Sequence, residues 1–180
     1  MGKFGKVLAI IGAAVGVLSV LLSLVLPELF SWYHLTISGG PYSGAGIYLN
    51  AFGLNIAKDW LPIPAPQPPE EIAIMVLIGG ILVLVGAALC IIGAFTEKKV
   101  LGILGGLSMI IGPLLLLADL LVVISDFSEW MDILAGVNDE DILFAIFEPS
   151  PGETVMWGLW IGFGMAIGGG AVGLIGGALV

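Results

Sequence analysis

The sequence predicts an all-α membrane protein: a four-helix transmembrane bundle with a small β-hairpin and helical cap on its extracytoplasmic side. Three observations lead to this prediction. Hydrophobic residues make up 59% of the chain and charged residues 11%, whereas a soluble domain carries about 25% charged residues. Four apolar runs are long enough to cross a bilayer with a hydrocarbon core of about 30 Å. Most lysines lie beside the ends of these runs.

The four apolar runs define the predicted spans of a single domain that covers residues 1–180. The spans are 7–26, 72–95, 100–124 and 155–180. Backbone groups in hydrocarbon must form hydrogen bonds within their own segment, so each run is expected to be a helix. Asp119 lies twenty residues beyond Lys99, about 30 Å along a helix. We therefore place its carboxylate at the outer membrane surface.

The lysines predict the direction of the spans. Lys3 and Lys6 precede the first span, and Lys98 and Lys99 separate the second from the third. Lysines collect on the cytoplasmic side of a membrane, so both termini are expected in the cytoplasm and both long loops outside the cell membrane. The net charge of −9 divides into −12 outside and +3 inside. This acidic balance argues against a nucleic-acid partner.

The two halves of the sequence resemble each other. The stretch KVLAIIGAAVGVLSVLL from Lys6 aligns without a gap with KVLGILGGLSMIIGPLL from Lys99. Glycines recur every seven residues in the second and fourth spans. We expect two similar helical hairpins that point the same way through the membrane, although glycine-rich apolar helices can also align by chance.

Glycine stripes are expected to hold the helices together, because small residues allow helix backbones to approach closely in lipid. The candidate packing residues are Gly12, Gly79, Gly86, Gly93, Gly105, Gly112, Gly162, Gly169, Gly173 and Gly176. The fourth span holds more glycine than one interface needs. We therefore expect it also to mediate homo-oligomerisation or docking to another membrane protein, which Gly169→Leu and Gly173→Leu would weaken. The alternative is that all these glycines serve packing within the chain.

The first outer loop, 27–71, contains two β-prone stretches around the turn signal SGGPYSGAG: 32–37, and GIYLNAFGLNI at 46–56, which alternates in part at 47–50. This pattern predicts a hairpin above the helix ends. In the second outer loop, 125–154, the stretches DFSEWMDILAGV and EDILFAIF have helical spacing, and PSPGE ends the pattern. Exposed aromatic residues are expected at the membrane interface or in partner contacts; they are Trp32, Tyr33, Tyr48, Trp60 and Trp130.

The residue pattern predicts no active site, metal centre or cofactor site. His34 is the single histidine and Cys90 the single cysteine, so a histidine-based metal cluster and an intrachain disulfide are both excluded. We expect His34 to be structural and Cys90 to pack within its span. The acidic run from Asp139 to Asp141 lacks EF-hand spacing. It is interpreted as a solvated helix start rather than a cation site.

The layout of the chain resembles that of claudin-like small tetraspan membrane proteins. The similarity rests on four spans, internal termini, a long β-prone first loop and Trp32 shortly after Pro27. That family has a G-L-W step and a cysteine pair in its outer loop, whereas here Asn55 follows Gly53-Leu54 and the loops hold no cysteine. The resemblance implies a β-sheet made by the outer loops, and lateral assembly. The chain also resembles small four-span proteins common in prokaryotes.

These observations together predict a non-enzymatic structural or scaffold subunit without a cofactor. Its expected partners are the lipid bilayer and either copies of itself or other proteins of a larger membrane complex. The contacts would be made by the glycine-rich helices and the acidic outer loops. The alternative is an oligomeric channel or small transporter, for which the spans offer few polar residues: Ser19, Ser23 and Ser108.

Overall fold

The structure is a computed structural model that describes residues 3–40, 43–58, 70–122 and 144–180. The described part is mostly helical and includes a small antiparallel sheet. The helices are α1 (Lys3–Val25), α2 (Pro27–Phe30), α3 (Glu70–Thr96), α4 (Lys99–Val122) and α5 (Ile161–Leu179). The strands are β1 (Tyr33–Ser38), β2 (Gly46–Leu49), β3 (Asn55–Lys58), β4 (Phe144–Ser150) and β5 (Glu153–Leu159).

Among the described residues, four helices are long and apolar enough to cross a membrane: α1, α3, α4 and α5. Their outward faces expose large apolar side chains, from Phe4 to Val25 along α1, for example, and near both ends of α5 at Ile161, Ile175 and Leu179. Water would not solvate so much apolar surface favourably. The finding supports a multi-pass membrane protein.

The four long helices pack side by side in a ring, and we call them the helix bundle. Helix α1 packs against α3 and α5, and α4 packs against the same two helices. One end of the bundle carries the strands and is called the sheet end. The other end carries Lys3, Lys6, Lys98 and Lys99 and is called the lysine end.

The turn between α3 and α4 closes the lysine end. Glu97 adopts a left-handed conformation with φ 58°, and the Lys98 N–H donates to the Gly93 carbonyl oxygen at 3.1 Å. This is the hydrogen bond of a helix C-cap, in which glycine usually occupies the left-handed position. The Lys6 ammonium donates to the Glu97 carboxylate at 2.6 Å, so the turn is also tied to α1.

The strands form one antiparallel sheet in the order β3-β2-β1-β5-β4. Strand β1 pairs with β2 from its own loop and with β5 from the second loop. His34 therefore lies opposite Tyr48 on one side and Gly158 on the other. The sheet joins the two loops that leave the bundle, and it links the two halves of the chain.

The structure confirms the predicted hairpin and corrects three other expectations. The fold is not all-α, because the sheet has a third strand in the first loop and two strands in the second. The stretch EDILFAIF was expected to be helical, but its last residues begin strand β4 at Phe144. The fourth span was expected from 155, but Val155 lies in β5 and the helix begins at Ile161. Pairing with β1 keeps this segment extended.

Candidate functional site

The ten glycines predicted to pack helices all lie at contacts between segments. A Cβ atom on Gly86 would lie 2.5 Å from the Gly105 carbonyl oxygen, and one on Gly169 would lie 2.8 Å from the Gly12 carbonyl oxygen. At these two positions no larger residue fits without moving a backbone. The contacts are Gly12 with Gly169 and Gly173, Gly79 with Gly112, Gly86 with Gly105, Gly93 with Gly102, Gly162 with Phe30, Gly173 with Cys90, and Gly176 with Ala9.

Gly169 and Gly173 were also expected to contact a neighbouring subunit, and the structure does not place them for that role. Gly169 and Gly173 are buried inside the chain against α1 and Cys90, so they are not available to a neighbouring subunit. The outward face of α5 instead carries Gly164 and Gly168. Both are exposed, and a Cβ atom on either would have no described atom within 4 Å.

Three of the five aromatic residues expected on the outer surface are buried instead. The exposed fraction is 0% for Trp32, 2% for Tyr33 and 6% for Tyr48. Burial raises the pKa of the Tyr33 hydroxyl above its ordinary value. These side chains pack within the protein and cannot be contact residues for a partner in this conformation. Trp60 and Trp130 lie outside the described residues.

The buried Trp32 belongs to a structure that enters the sheet end of the bundle. A Cβ atom on Gly79 would lie 3.3 Å from Cζ3 of Trp32. The Ala51 carbonyl group lies against Gly80, and Gly53 lies against the Ala73 carbonyl group. We call Trp32 and residues 50–54 the plug. Gly79 is nine residues into α3, whereas Ser23, which bonds to Ala51, lies two residues before the end of α1. The plug therefore closes the sheet end of the bundle.

Side-chain hydrogen bonds hold the irregular backbone of the plug. The Asn50 side-chain oxygen accepts from the N–H groups of Phe52 at 2.8 Å and Leu54 at 3.1 Å. The Ser23 hydroxyl of α1 accepts from the Ala51 N–H at 3.1 Å. Gly53 has a φ of 71°, which a residue with a Cβ rarely adopts. Buried backbone that belongs to no helix or strand needs partners of this kind.

Apolar side chains fill the bundle beneath the plug. Met109, Val83 and Leu116 are fully buried at its centre. The Ser19 hydroxyl donates to the Gly16 carbonyl oxygen at 2.8 Å, and the Ser23 hydroxyl donates to the Val20 carbonyl oxygen at 2.7 Å. Both hydroxyls are thus bonded to their own helix. The described residues form no continuous polar path along the bundle.

His34 lies in the sheet, on the same face as its cross-strand partner Tyr48. It is 1% exposed, and its ring centroid lies 4.0 Å from that of Trp160. Burial lowers its pKa from 6.5 to about 4, and an interaction with the Gly158 backbone offsets this only in part. The imidazole is therefore neutral at neutral pH. The Trp160 indole N–H donates to the Glu28 carbonyl oxygen at 3.1 Å, which ties α5 to α2.

The described residues bring together no group of three histidine, cysteine or acidic side chains that could hold a metal ion. Within the same part of the chain, His34 lies against the tilted ring of Trp160 and Cys90 packs between helices. The run from Asp139 to Asp141 and the side chain of Asp119 lie outside the description.

Sequence reasoning missed the plug. Trp32 and the turn at residues 50–54 are some twenty residues apart, and they pack against Gly79 and Gly80 of α3. Only folding brings these segments together. A local signal did exist, because Asn50-Ala51-Phe52-Gly53 has asparagine and glycine at turn positions. Nothing local indicates that such a turn enters a helix bundle.

The comparisons with known proteins add no relationship. No protein-family model matches this chain, and no curated protein matches it in sequence. The resemblance to claudin-like tetraspans stays a prediction.

Proposed function

We propose that this protein is a non-enzymatic structural subunit of the cell membrane that assembles with copies of itself or with other membrane proteins. The observation that carries this proposal is the solid interior of the bundle. Backbone contacts at glycines, apolar side chains and the plug fill it from the sheet end downward. A filled interior favours a scaffold over a conduction path.

The orientation in the membrane follows from the charges. The lysine end carries Lys3, Lys6, Lys98 and Lys99, with Glu97 as its acidic residue. By the positive-inside rule this end faces the cytoplasm together with both termini. The sheet and the acidic loops then face outward.

The sheet gives the outer part a defined shape without a disulfide. Strand β1 joins the two loops, and the Glu28 carboxylate accepts from the Lys58 ammonium at 2.7 Å. Such an exposed ion pair contributes only about 0–1 kcal/mol, so strand pairing and burial of residues such as Leu35 account for most of the order. A fixed outer surface suits docking to another surface protein.

Lateral assembly would use the outward face of α5, where Gly164 and Gly168 leave room for another helix. The test is the mass of the complex extracted gently from native membranes. We expect a mass well above the 18.6 kDa of one chain, from copies or from co-purifying proteins. Gly164→Leu and Gly168→Leu should lower it while the chain stays folded. Ile161→Leu on the same outward face is the matched control and should leave the mass unchanged.

A monomer with no co-purifying protein would refute the structural role. The channel alternative is tested separately by ion flux in liposomes. The intact protein should give no flux above that of empty liposomes, because the bundle is filled. Flux through the intact protein would contradict the proposal.

A further inference from the structure

Several contacts between helices repeat themselves when the two halves of the chain are exchanged, although the correspondence ends at the sheet end, where Gly79 packs on Gly112 but Gly162 packs on Phe30. Aligning Lys6 with Lys99 and Gly79 with Gly162 makes α1 equivalent to α4 and α3 equivalent to α5. Helix α5 packs on α1 through Gly169, whose added Cβ would meet the Gly12 oxygen and the Gly16 nitrogen, both at 2.8 Å. The equivalent Gly86 of α3 would meet the Gly105 oxygen at 2.5 Å and the Met109 nitrogen at 2.9 Å.

The same correspondence holds nearer the lysine end. Gly176 packs against the Ala9 nitrogen and the Leu8 carbonyl carbon. The equivalent Gly93 packs against the Gly102 nitrogen and the Leu101 carbonyl carbon. Matching atoms at matching positions relate the halves by a two-fold axis. The axis runs along the bundle, because α1 and α4 both run from the lysine end to the sheet end.

Two contacts join residues that are each other's equivalents. Gly16 and Met109 align, and the Met109 side chain fills the space where a Gly16 side chain would lie. Cys90 and Gly173 also align, and a Cβ atom on Gly173 would lie 3.0 Å from the Cys90 sulfur atom. A residue that touches its own equivalent must lie beside the two-fold axis. In both pairs one partner is glycine and the other fills the gap.

We propose that these axial pairs make the two halves complementary partners, so that each helical hairpin fits the other and not a copy of itself. Two first halves would face Gly16 with Gly16 and leave a cavity. Two second halves would crowd two Met109 side chains into one space. The interaction surface is the axial face of each hairpin, and its partner is a hairpin with the opposite residue on the axis. This inference does not depend on the proposed function.

Exchanging the axial residues in the full-length chain tests the proposal. Gly16→Met alone adds a second methionine on the axis, and Met109→Gly alone leaves a cavity. Each should lower the thermal midpoint in detergent by about 10 °C. The double exchange should return the midpoint to within a few degrees of the parent, since the methionine then crosses the axis from the other side. Helix propensity cancels, because one glycine is lost and one is gained.

The control places the same methionine away from the axis. Gly12→Met combined with Met109→Gly should not recover, because Gly12 faces the backbone of α5. If single variants fail to accumulate in membranes, accumulation of the double exchange alone supports the proposal. A double exchange that is no more stable than the worse single variant, or that fails to accumulate, overturns it. Cys90→Gly with Gly173→Cys repeats the test at the second pair.

Discussion

At the scale of single residues, the buried polar side chains of the sheet end are the most sensitive positions. His34 is held neutral among aromatic neighbours. Asn50 and Ser23 supply hydrogen bonds to backbone that no helix or strand satisfies. A buried polar group that loses its partner costs more than the bond itself contributed. Small changes at these positions should therefore be measurable.

His34 predicts a loss of stability in mild acid. Its folded pKa of about 4 lies below the unfolded value of 6.5, so the unfolded chain binds the proton first as pH falls. Neutral His34 therefore contributes fully to the free energy of unfolding above pH 6.5. About 3 kcal/mol of that free energy is lost as the pH falls from 6.5 to about 4. Thermal unfolding in detergent across this range measures it. His34→Gln should flatten this part of the profile, whereas an unchanged profile would contradict the assignment.

We predict that the Asn50 side chain stabilises the plug. Asn50→Ala leaves the N–H groups of Phe52 and Leu54 without their acceptor. Both bonds are only partly buried, so water can replace part of each. We expect a loss of roughly 1–2 kcal/mol in the free energy of unfolding. Ser43→Ala is the matched control, because the Ser43 hydroxyl accepts from the Gly39 N–H on the exposed surface. Equal effects of the two variants would show that the plug is not buried.

At the scale of helices and strands, glycine decides how close two backbones come. The seam between α4 and α5 contains Gly102, Gly106, Gly170 and Gly177. The equivalent positions between α1 and α3 are the buried alanines Ala9, Ala13, Ala87 and Ala94. The two seams therefore differ by one methyl group at each position. The smaller residues allow the backbones of α4 and α5 to approach each other over a longer stretch than those of α1 and α3.

We predict opposite effects on stability for substitutions at the neighbouring Gly168 and Gly169 of α5. Gly169→Leu should cost at least about 3 kcal/mol or prevent folding, because its side chain would enter the backbone of α1. Gly168→Leu should leave the folded chain intact, because its position is open and exposed. Expression level and thermal midpoint in detergent measure both. Similar behaviour of the two variants would mean that α5 is rotated from the position described.

The elements that could be predicted from sequence are those set by local hydrophobicity. The four long helices follow from runs that satisfy their backbone only as helices in lipid. The segment from Val155 to Leu159 is equally apolar, yet it is a strand because β1 pairs with it from more than a hundred residues away. Short apolar runs fit either structure. Thr154, Val155 and Trp157 are β-prone residues that could have favoured the strand.

The candidate site was predictable only in part, for the same reason. The glycines at helix contacts follow from their spacing and from the chemistry of packing in lipid. Trp32 was expected at the surface as an interfacial aromatic residue. Its burial depends on the space left by Gly79, which no local pattern shows. The pairing of Cys90 with Gly173 is equally non-local.

At the scale of the whole molecule, the two halves are held together at both ends, and an apolar surface lies between these ends. The halves pack around a two-fold axis, and β1 and β5 join them again at the sheet end. The ion pair of Lys6 and Glu97 ties α1 to the α3–α4 turn at the lysine end. The apolar outer surface between these ends is suited to lipid rather than water. The central claim is therefore that the lysine end and the sheet end lie on opposite sides of a membrane.

Cysteine labelling in intact cells tests this claim most directly. The parent is Cys90→Ala, which removes the single native thiol. Ser38→Cys at the end of β1 and Lys98→Cys in the α3–α4 turn then place one exposed thiol at each end of the bundle. A membrane-impermeant maleimide should label Ser38→Cys in intact cells and Lys98→Cys only after permeabilisation. Labelling of both positions from the same side, or a chain that is soluble without detergent, would contradict the account.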